Sequence, residues 1–289
     1  MVAAAPAAGA FSSPALTMID GPGATETQAK GINNAGQIVG YFTDTNHRTR
    51  GFLRTSGGAF TTIDAPGAAT TEAEGINRAG QIVGMFGDTT LRVEQTVGHF
   101  GTPSRHGRAF LRTAGGTFTT IDVPGATGDT YPEGINSGGQ IVGYFQGADG
   151  KVRGFLRTSG GTFTVFDAPA WNENNALGIN DAGQIVGDFV DTRGHSHGYV
   201  RTSGGAFTTI DVPGATNTVA SAINSAGQIV GVFLDASGGG HSFLRTLQGT
   251  FIMIDAPRAI NTRNGINANG INDAGEIVGT LGPHGFLMR

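Results

Sequence analysis

The chain has 289 residues and a net charge of −4, with 50 glycines, 14% charged residues and no cysteine. No basic run offers a footprint for nucleic acid, no segment approaches the roughly eighteen apolar residues that span a bilayer as a helix, and disulfides and thiolate metal sites are excluded. So much glycine without a collagen triplet, alternating with Ile, Val, Phe and Thr, describes short strands joined by tight turns.

Residues 1–14 form a tail of small residues with neither a basic nor an apolar signal region, as the remnant of a removed leader would. Ala15-Leu16-Thr17-Met18-Ile19-Asp20 then stands as an orphan strand before Gly21-Pro22-Gly23-Ala24. The stretch that follows, Gly31-Ile32-Asn33-Asn34-Ala35-Gly36-Gln37-Ile38-Val39-Gly40, recurs from Gly75, Gly134, Gly178, Ala222 and Gly270, in steps of 44, 59, 44, 44 and 48 residues. Periods of this length mark a repeat architecture. Each unit reads as four short strands: A ending in Gly-Ile-Asn, B as Gln-Ile-Val-Gly-x-Phe, C as Gly-Phe-Leu-Arg-Thr and D as Phe-Thr-Thr-Ile-Asp.

Strand C occurs six times, but D follows only the first five; the chain stops at Arg289 after the sixth C. The orphan at 15–20 is the missing D. We therefore expect one all-β domain over 15–289, a six-bladed β-propeller of four-stranded antiparallel blades, its ring closed by strand 15–20 joining strand 284–289. The 59-residue step carries an insertion, 88–107, between B and C. It is expected on the upper face, with the D to A connections, where binding loops of repeat arrays gather.

The repeats Gly-Ile-Asn-x-Ala-Gly-Gln-Ile-Val-Gly, His-Gly-Phe or Arg-Ala-Phe, and Phe-Thr-Thr-Ile-Asp-x-Pro-Gly-Ala resemble the bacterial extracellular HAF-repeat family. The triplet is degenerate here, running Arg50-Gly51-Phe52, Arg108-Ala109-Phe110, Arg153-Gly154-Phe155, His197-Gly198-Tyr199, His241-Ser242-Phe243 and His284-Gly285-Phe286. The resemblance implies export, to an extracellular or periplasmic location, and a propeller-like fold. It brings no reaction and no catalytic residues.

The six turn asparagines, Asn33, Asn77, Asn136, Asn180, Asn224 and Asn272, read as Asx caps of hairpin turns, with a ligand cage as the alternative. The aspartates after strand D, Asp20, Asp64, Asp122, Asp167, Asp211 and Asp255, are expected to pair with the strand-C arginines Arg54, Arg112, Arg157, Arg201 and Arg245 in a structural ladder, with a ligand clamp as the alternative. Position before strand C alternates between Arg50, Arg108 and Arg153 and the histidines His197, His241 and His284, read as rim residues; a two-ligand metal site at His195 and His197 stays open.

The copies disagree most just before the strand-A glycine, at Lys30, Glu74, Glu133, Leu177, Ser221 and Asn269, and two residues earlier, at Gln28, Glu72, Tyr131, Asn175, Val219 and Asn267. One asymmetric site at the axis would produce this, and so would unconstrained exposed positions. The candidate ligand-binding residues are Lys30, Gln28, Glu72, Tyr131, Asn175 and Asn269, with Trp171 and, on the insertion, Phe100 and His99. Glu74 and Glu133 are the candidate acid and base, or, with Asn175 and Asn269, oxygen ligands for a hard cation such as calcium. The leading expectation is a secreted propeller that binds a small polar molecule, a glycan or a protein at the upper pore, with no nucleic acid and no membrane insertion. The alternatives are a lactonase-like hydrolase or a lyase, calcium-dependent or not, in the pore beneath loop 91–106, and a structural surface protein.

Overall fold

The computed structural model describes residues 15–87, 107–167, 173–255 and 265–289, and among these the chain forms twenty-four strands and no helix. Strand β1 (Leu16–Ile19) precedes a first meander of β2 (Ala24–Ile32), β3 (Ile38–Asp44), β4 (Thr49–Arg54) and β5 (Phe60–Ile63). The second comprises β6 (Thr70–Ile76), β7 (Ile82–Gly87), β8 (Arg108–Arg112) and β9 (Phe118–Ile121). Then come β10 (Ala126–Ile135), β11 (Ile141–Gly147), β12 (Val152–Arg157) and β13 (Phe163–Phe166), followed by β14 (Glu173–Ile179), β15 (Ile185–Val190), β16 (Ser196–Arg201) and β17 (Phe207–Ile210). The chain continues with β18 (Asn217–Ile223), β19 (Ile229–Leu234), β20 (Gly240–Arg245) and β21 (Phe251–Ile254), and ends with β22 (Ile266–Ile271), β23 (Ile277–Leu281) and β24 (His284–Met288).

Four of the sheets are four-stranded and antiparallel; the third and fourth meanders are joined into one longer path by a single parallel bridge between Val152 and Glu173. The last sheet runs β1-β24-β23-β22, so the orphan strand pairs with the final one, Leu16 opposite Met288 and Ile19 opposite Gly285. This is an all-β arrangement of propeller type.

The Ile-Val pair of each Gln-Ile-Val-Gly explains how the sheets stack, because consecutive strand residues face opposite sides. Ile38, Ile82, Ile141, Ile185, Ile229 and Ile277 pack into their own repeat's core cluster, whereas the valine beside each enters the next one. Val39 joins Ala73 and Phe110, and Val83 joins Ile135 and Phe155; at the end Val278 packs with Ile19, Ala29 and Phe52 of the first repeat.

A second link runs through the turn asparagines. Asn33 Oδ1 accepts from the Ala35 and Gln37 amides, the expected Asx cap, while Nδ2 donates to Gln37 Oε1 and to the Asn77 carbonyl. Asn77 donates likewise to the carbonyl of Asn136, Asn136 to Asn180, Asn180 to Asn224, Asn224 to Asn272, and Asn272 back to Asn33. The neighbouring inner strands touch so closely that a Cβ on Gly75 would lie 2.7 Å from the Glu133 carbonyl, and one on Gly270 2.8 Å from that of Lys30.

The expected pairing of strand-C arginines with the strand-D aspartates is corrected. Arg54, Arg112, Arg157 and Arg201 lie over the rings of Phe60, Phe118, Phe163 and Phe207. The aspartates pair instead with the residue before strand C: Arg50 with Asp64, Arg153 with Asp167, His197 with Asp211, and His284 with Asp20 at 2.7 Å. The pleat accounts for this, since Gly51 lies opposite Ile63, one residue from each partner.

Ile19 is 1% exposed and belongs to the cluster that also holds Val278 and Leu287. Ile19→Ala should therefore cost about 2–5 kcal/mol in denaturant unfolding of the full chain. The matching exposed change, Met18→Ala, should stay within about 0.5 kcal/mol.

Candidate active site

In every repeat the inner hairpin slips register beside the Gly-Ile-Asn motif, between Ala29 and Gly31, Ala73 and Gly75, Pro132 and Gly134, Ala176 and Gly178, Ala220 and Ala222, and Ala268 and Gly270. The extra residue at each bulge is Lys30, Glu74, Glu133, Leu177, Ser221 or Asn269, the set on which the copies disagree. A bulge re-aims one side chain and bends the strand, which suits these positions to a shared site. The bulges lie two residues before the end of strand A that carries the asparagine turn. Segment 88–107 departs from the other end, beside Thr70. The variable set thus occupies the half of the inner strands nearer the asparagines, which corrects its expected place at the upper ends.

The first three repeats supply charged groups. Lys30 Nζ lies 3.1 Å from Glu74 Oε2 and 5.8 Å from the centre of the Tyr41 ring. Burial pulls the Lys30 ammonium down, but Glu74, Glu133 and Glu72 outweigh it and hold its pKa up at about 12. Glu72 is 6% exposed; burial first, and then the neighbouring Glu74 carboxylate, push it up to about 8 against the pull of Lys30. Burial also raises Glu133, again opposed by Lys30. Glu133 is half-buried and makes no hydrogen bond or direct ion pair among the described residues. The Tyr41 hydroxyl donates to Gln28 Oε1 at 2.6 Å, and Gln28 Nε2 donates to Glu26 at 3.1 Å.

The later repeats supply a different surface. The rings of Tyr131 and Tyr144 stack with centroids 4.7 Å apart and planes within 11°. Tyr144 packs with Leu177, Val219 and Val232 in one buried cluster drawn from three repeats. Beyond them Asn175 Nδ2 donates to Asp188 Oδ1 at 3.2 Å, and burial pushes Asp188 up to about 7. Asn269 donates to the Ala29 carbonyl at 2.9 Å, a link between repeats.

Sequence reasoning missed Tyr41, Tyr144 and Asp188. They occupy the variable position after Gln-Ile-Val-Gly, opposite Gln28, Tyr131 and Asn175. Its variation, Tyr41, Met85, Tyr144, Asp188, Val232 and Thr280, was the available signal. The invariant glycine before it leaves room for the inner strand: a Cβ on Gly84 would lie 2.0 Å from the Glu72 carbonyl.

The carboxylates do not gather as the cation reading needs. Glu74 is engaged by the Lys30 ammonium. Among the described residues no three His, Asp or Glu side chains are grouped to hold a metal ion. His195 and His197 lie against Asp191, and His197 also against Asp211. Trp171, Phe100 and His99 lie outside the described residues.

No family model matches the chain, and no curated protein matches it. Among solved structures it is similar to a virginiamycin B lyase from Staphylococcus aureus, 15% identical over 93% of this chain and 82% of that one, with a TM-score of 0.52. A gluconolactonase from Xanthomonas campestris is 11% identical over 91% and 86% of the two chains, TM-score 0.54, and TolB from Acinetobacter baumannii 12% identical over 88% and 64%, TM-score 0.58. At these identities the likeness is one of fold, and the fold is that of a β-propeller.

The raised pKa of Glu72 has a consequence for stability. Between about pH 4.5 and 8 the native state keeps a proton that the unfolded chain has lost, so stability is highest below that window and falls as pH rises through it. Asp188 acts in the same sense between about 3.8 and 7. Glu72→Gln should flatten the fall in melting temperature between pH 5 and 8 and raise the melting temperature at pH 8; an unchanged profile would show that Glu72 is ionised in the native state.

Proposed function

We propose that the chain is a six-bladed β-propeller, closed by the β1 to β24 pairing, that cleaves a carbon–oxygen bond by metal-independent acid and base catalysis, as a hydrolase or a lyase. The observation that carries this is the pairing of two unlike carboxyls at the axis. Glu133 is half-buried with no hydrogen bond or direct ion pair among the described residues, and Glu72 is pushed up to about 8. Burial raises both carboxyls and the charge of Glu133 raises Glu72 further, so the two titrate as unequal partners, as acid–base chemistry needs. Glu133 takes a proton from water or from a carbon next to a carbonyl, and Glu72 gives its proton to the departing oxygen. Lys30, fixed by Glu74 at 3.1 Å, offers its remaining N–H donors to an oxyanion. The expected roles are thereby exchanged: Glu74 orients the lysine, and Glu72 is the acid. The fold shared with a lyase and a gluconolactonase supports the reaction class coarsely. The HAF-like repeats support export of the protein, which would place the reaction outside the cytoplasm.

A panel of esters, lactones and eliminable ethers identifies a substrate. With it, Glu133→Gln and Glu72→Gln should each lower kcat/KM by about 10²–10⁴, with Glu276→Gln as an unaffected control. Activity should decline above pH 8 as Glu72 loses its proton. Full turnover by Glu133→Gln would sink the mechanism, and ligand binding without turnover would return the chain to the binding reading.

A further inference from the structure

We infer that this axial site takes a ligand with one cationic nitrogen on a flat apolar body and turns away carboxylates and phosphates, an inference that rests on the acid–base reading of the same residues. The charge balance at the axis is unequal. Glu72, Glu74 and Glu133 act on a single ammonium, Lys30, which is already bound to Glu74 at 3.1 Å, and Asp188 adds a further buried carboxyl that acts on Tyr144. The flanking groups deepen the imbalance. Glu26 lies at Gln28, Asp129 accepts from the Tyr131 hydroxyl at 3.3 Å, and Glu173 stands near Asp188. An entering anion would meet this excess of like charge with only the Glu74-bound Lys30 to receive it, whereas a cation would find Glu133 with no hydrogen bond or direct ion pair among the described residues.

The apolar part has its own place. Tyr131 and Tyr144 are stacked within 11° of parallel, and Leu177, Val219 and Val232 continue that wall. A planar group packs on such a surface, and a cation beside an aromatic face gains further attraction. Burial raises the tyrosine hydroxyls and the carboxyls of Glu72, Glu133 and Asp188 above their ordinary values. Bringing a positive charge among them favours their ionised forms, so a cationic ligand binds with release of protons.

Three molecules of one shape and different charge separate the possibilities: benzamidine, benzamide and benzoate, titrated calorimetrically at pH 7 in two buffers of different ionisation enthalpy. Benzamidine should bind at least tenfold more tightly than benzamide and release protons, and benzoate should not bind. Glu133→Gln should bring benzamidine down to the affinity of benzamide while leaving benzamide unchanged. Should that variant fail to fold, Asp188→Asn should reduce the proton release. Equal or tighter binding of benzamide or benzoate, proton uptake, or no binding of any of the three to folded protein overturns the inference. Benzamidine preference in a protein that turns over no substrate leaves the inference standing and removes the acid–base mechanism. Turnover of an anionic substrate does the reverse.

Discussion

The asparagine side chain at the inner turn is the constraint on which the other features depend. In the first repeat its carbonyl oxygen accepts two backbone N–H groups and its amide donates to Gln37 and to the Asn77 carbonyl, so all four of its hydrogen-bonding capacities are used. A buried amide left partly unsatisfied would cost about 1–3 kcal/mol, which gives each turn one acceptable geometry. The contact to the next turn then fixes the height of one inner strand against its neighbour. Because the bulge lies at a set distance from this turn, the re-aimed residue of each repeat comes to the same level on its inner strand.

Scaffold and site are thereby separated within a few residues of sequence. Ile82 and Val83 hold two sheets together from opposite faces of one strand, and Asn77 and Gly75 hold the adjacent inner strands. Between these fixed points Glu72, Glu74 and Met85 are released from any structural duty shared with the other copies. A charged half and an aromatic half can then be built by substituting single residues, with no change in the backbone. Glu276 shows the reverse case. It replaces the glutamine of the other copies, still accepts from its asparagine at 2.8 Å, and uses its second oxygen to accept from Arg289 at 2.7 Å.

Much of the fold was legible because repetition multiplies weak signals. The missing sixth strand D pointed to the pairing of β1 with β24, and the strand boundaries follow the motif in each copy. The site was half legible. The positions before the strand-A glycine stood out as divergent, but the bulge that turns them inward has no residue signature apart from the glycine beside it. The third member of each set, such as Tyr41 or Asp188, was hidden because one variable residue between a glycine and a phenylalanine reads as ordinary strand. The partners of the rim aspartates were misjudged for a similar reason. Arg50 and Arg54 are both in reach by sequence spacing, and only the register with β5 chooses between them.

The pairing of β1 with β24 also bears on how the fold is assembled. The His284 to Asp20 contact joins positions 264 apart, and among the described residues β1 pairs with no strand but β24. Strand β1 therefore gains its partner only when the far end of the meander series has formed, and until then Ile19 lacks part of its cover. Contacts of such separation come late and slowly. Until they do, β1 and β24 are each an unguarded edge, so a partly folded chain is most exposed to pairing with a neighbour at the two strands that the finished sheet joins.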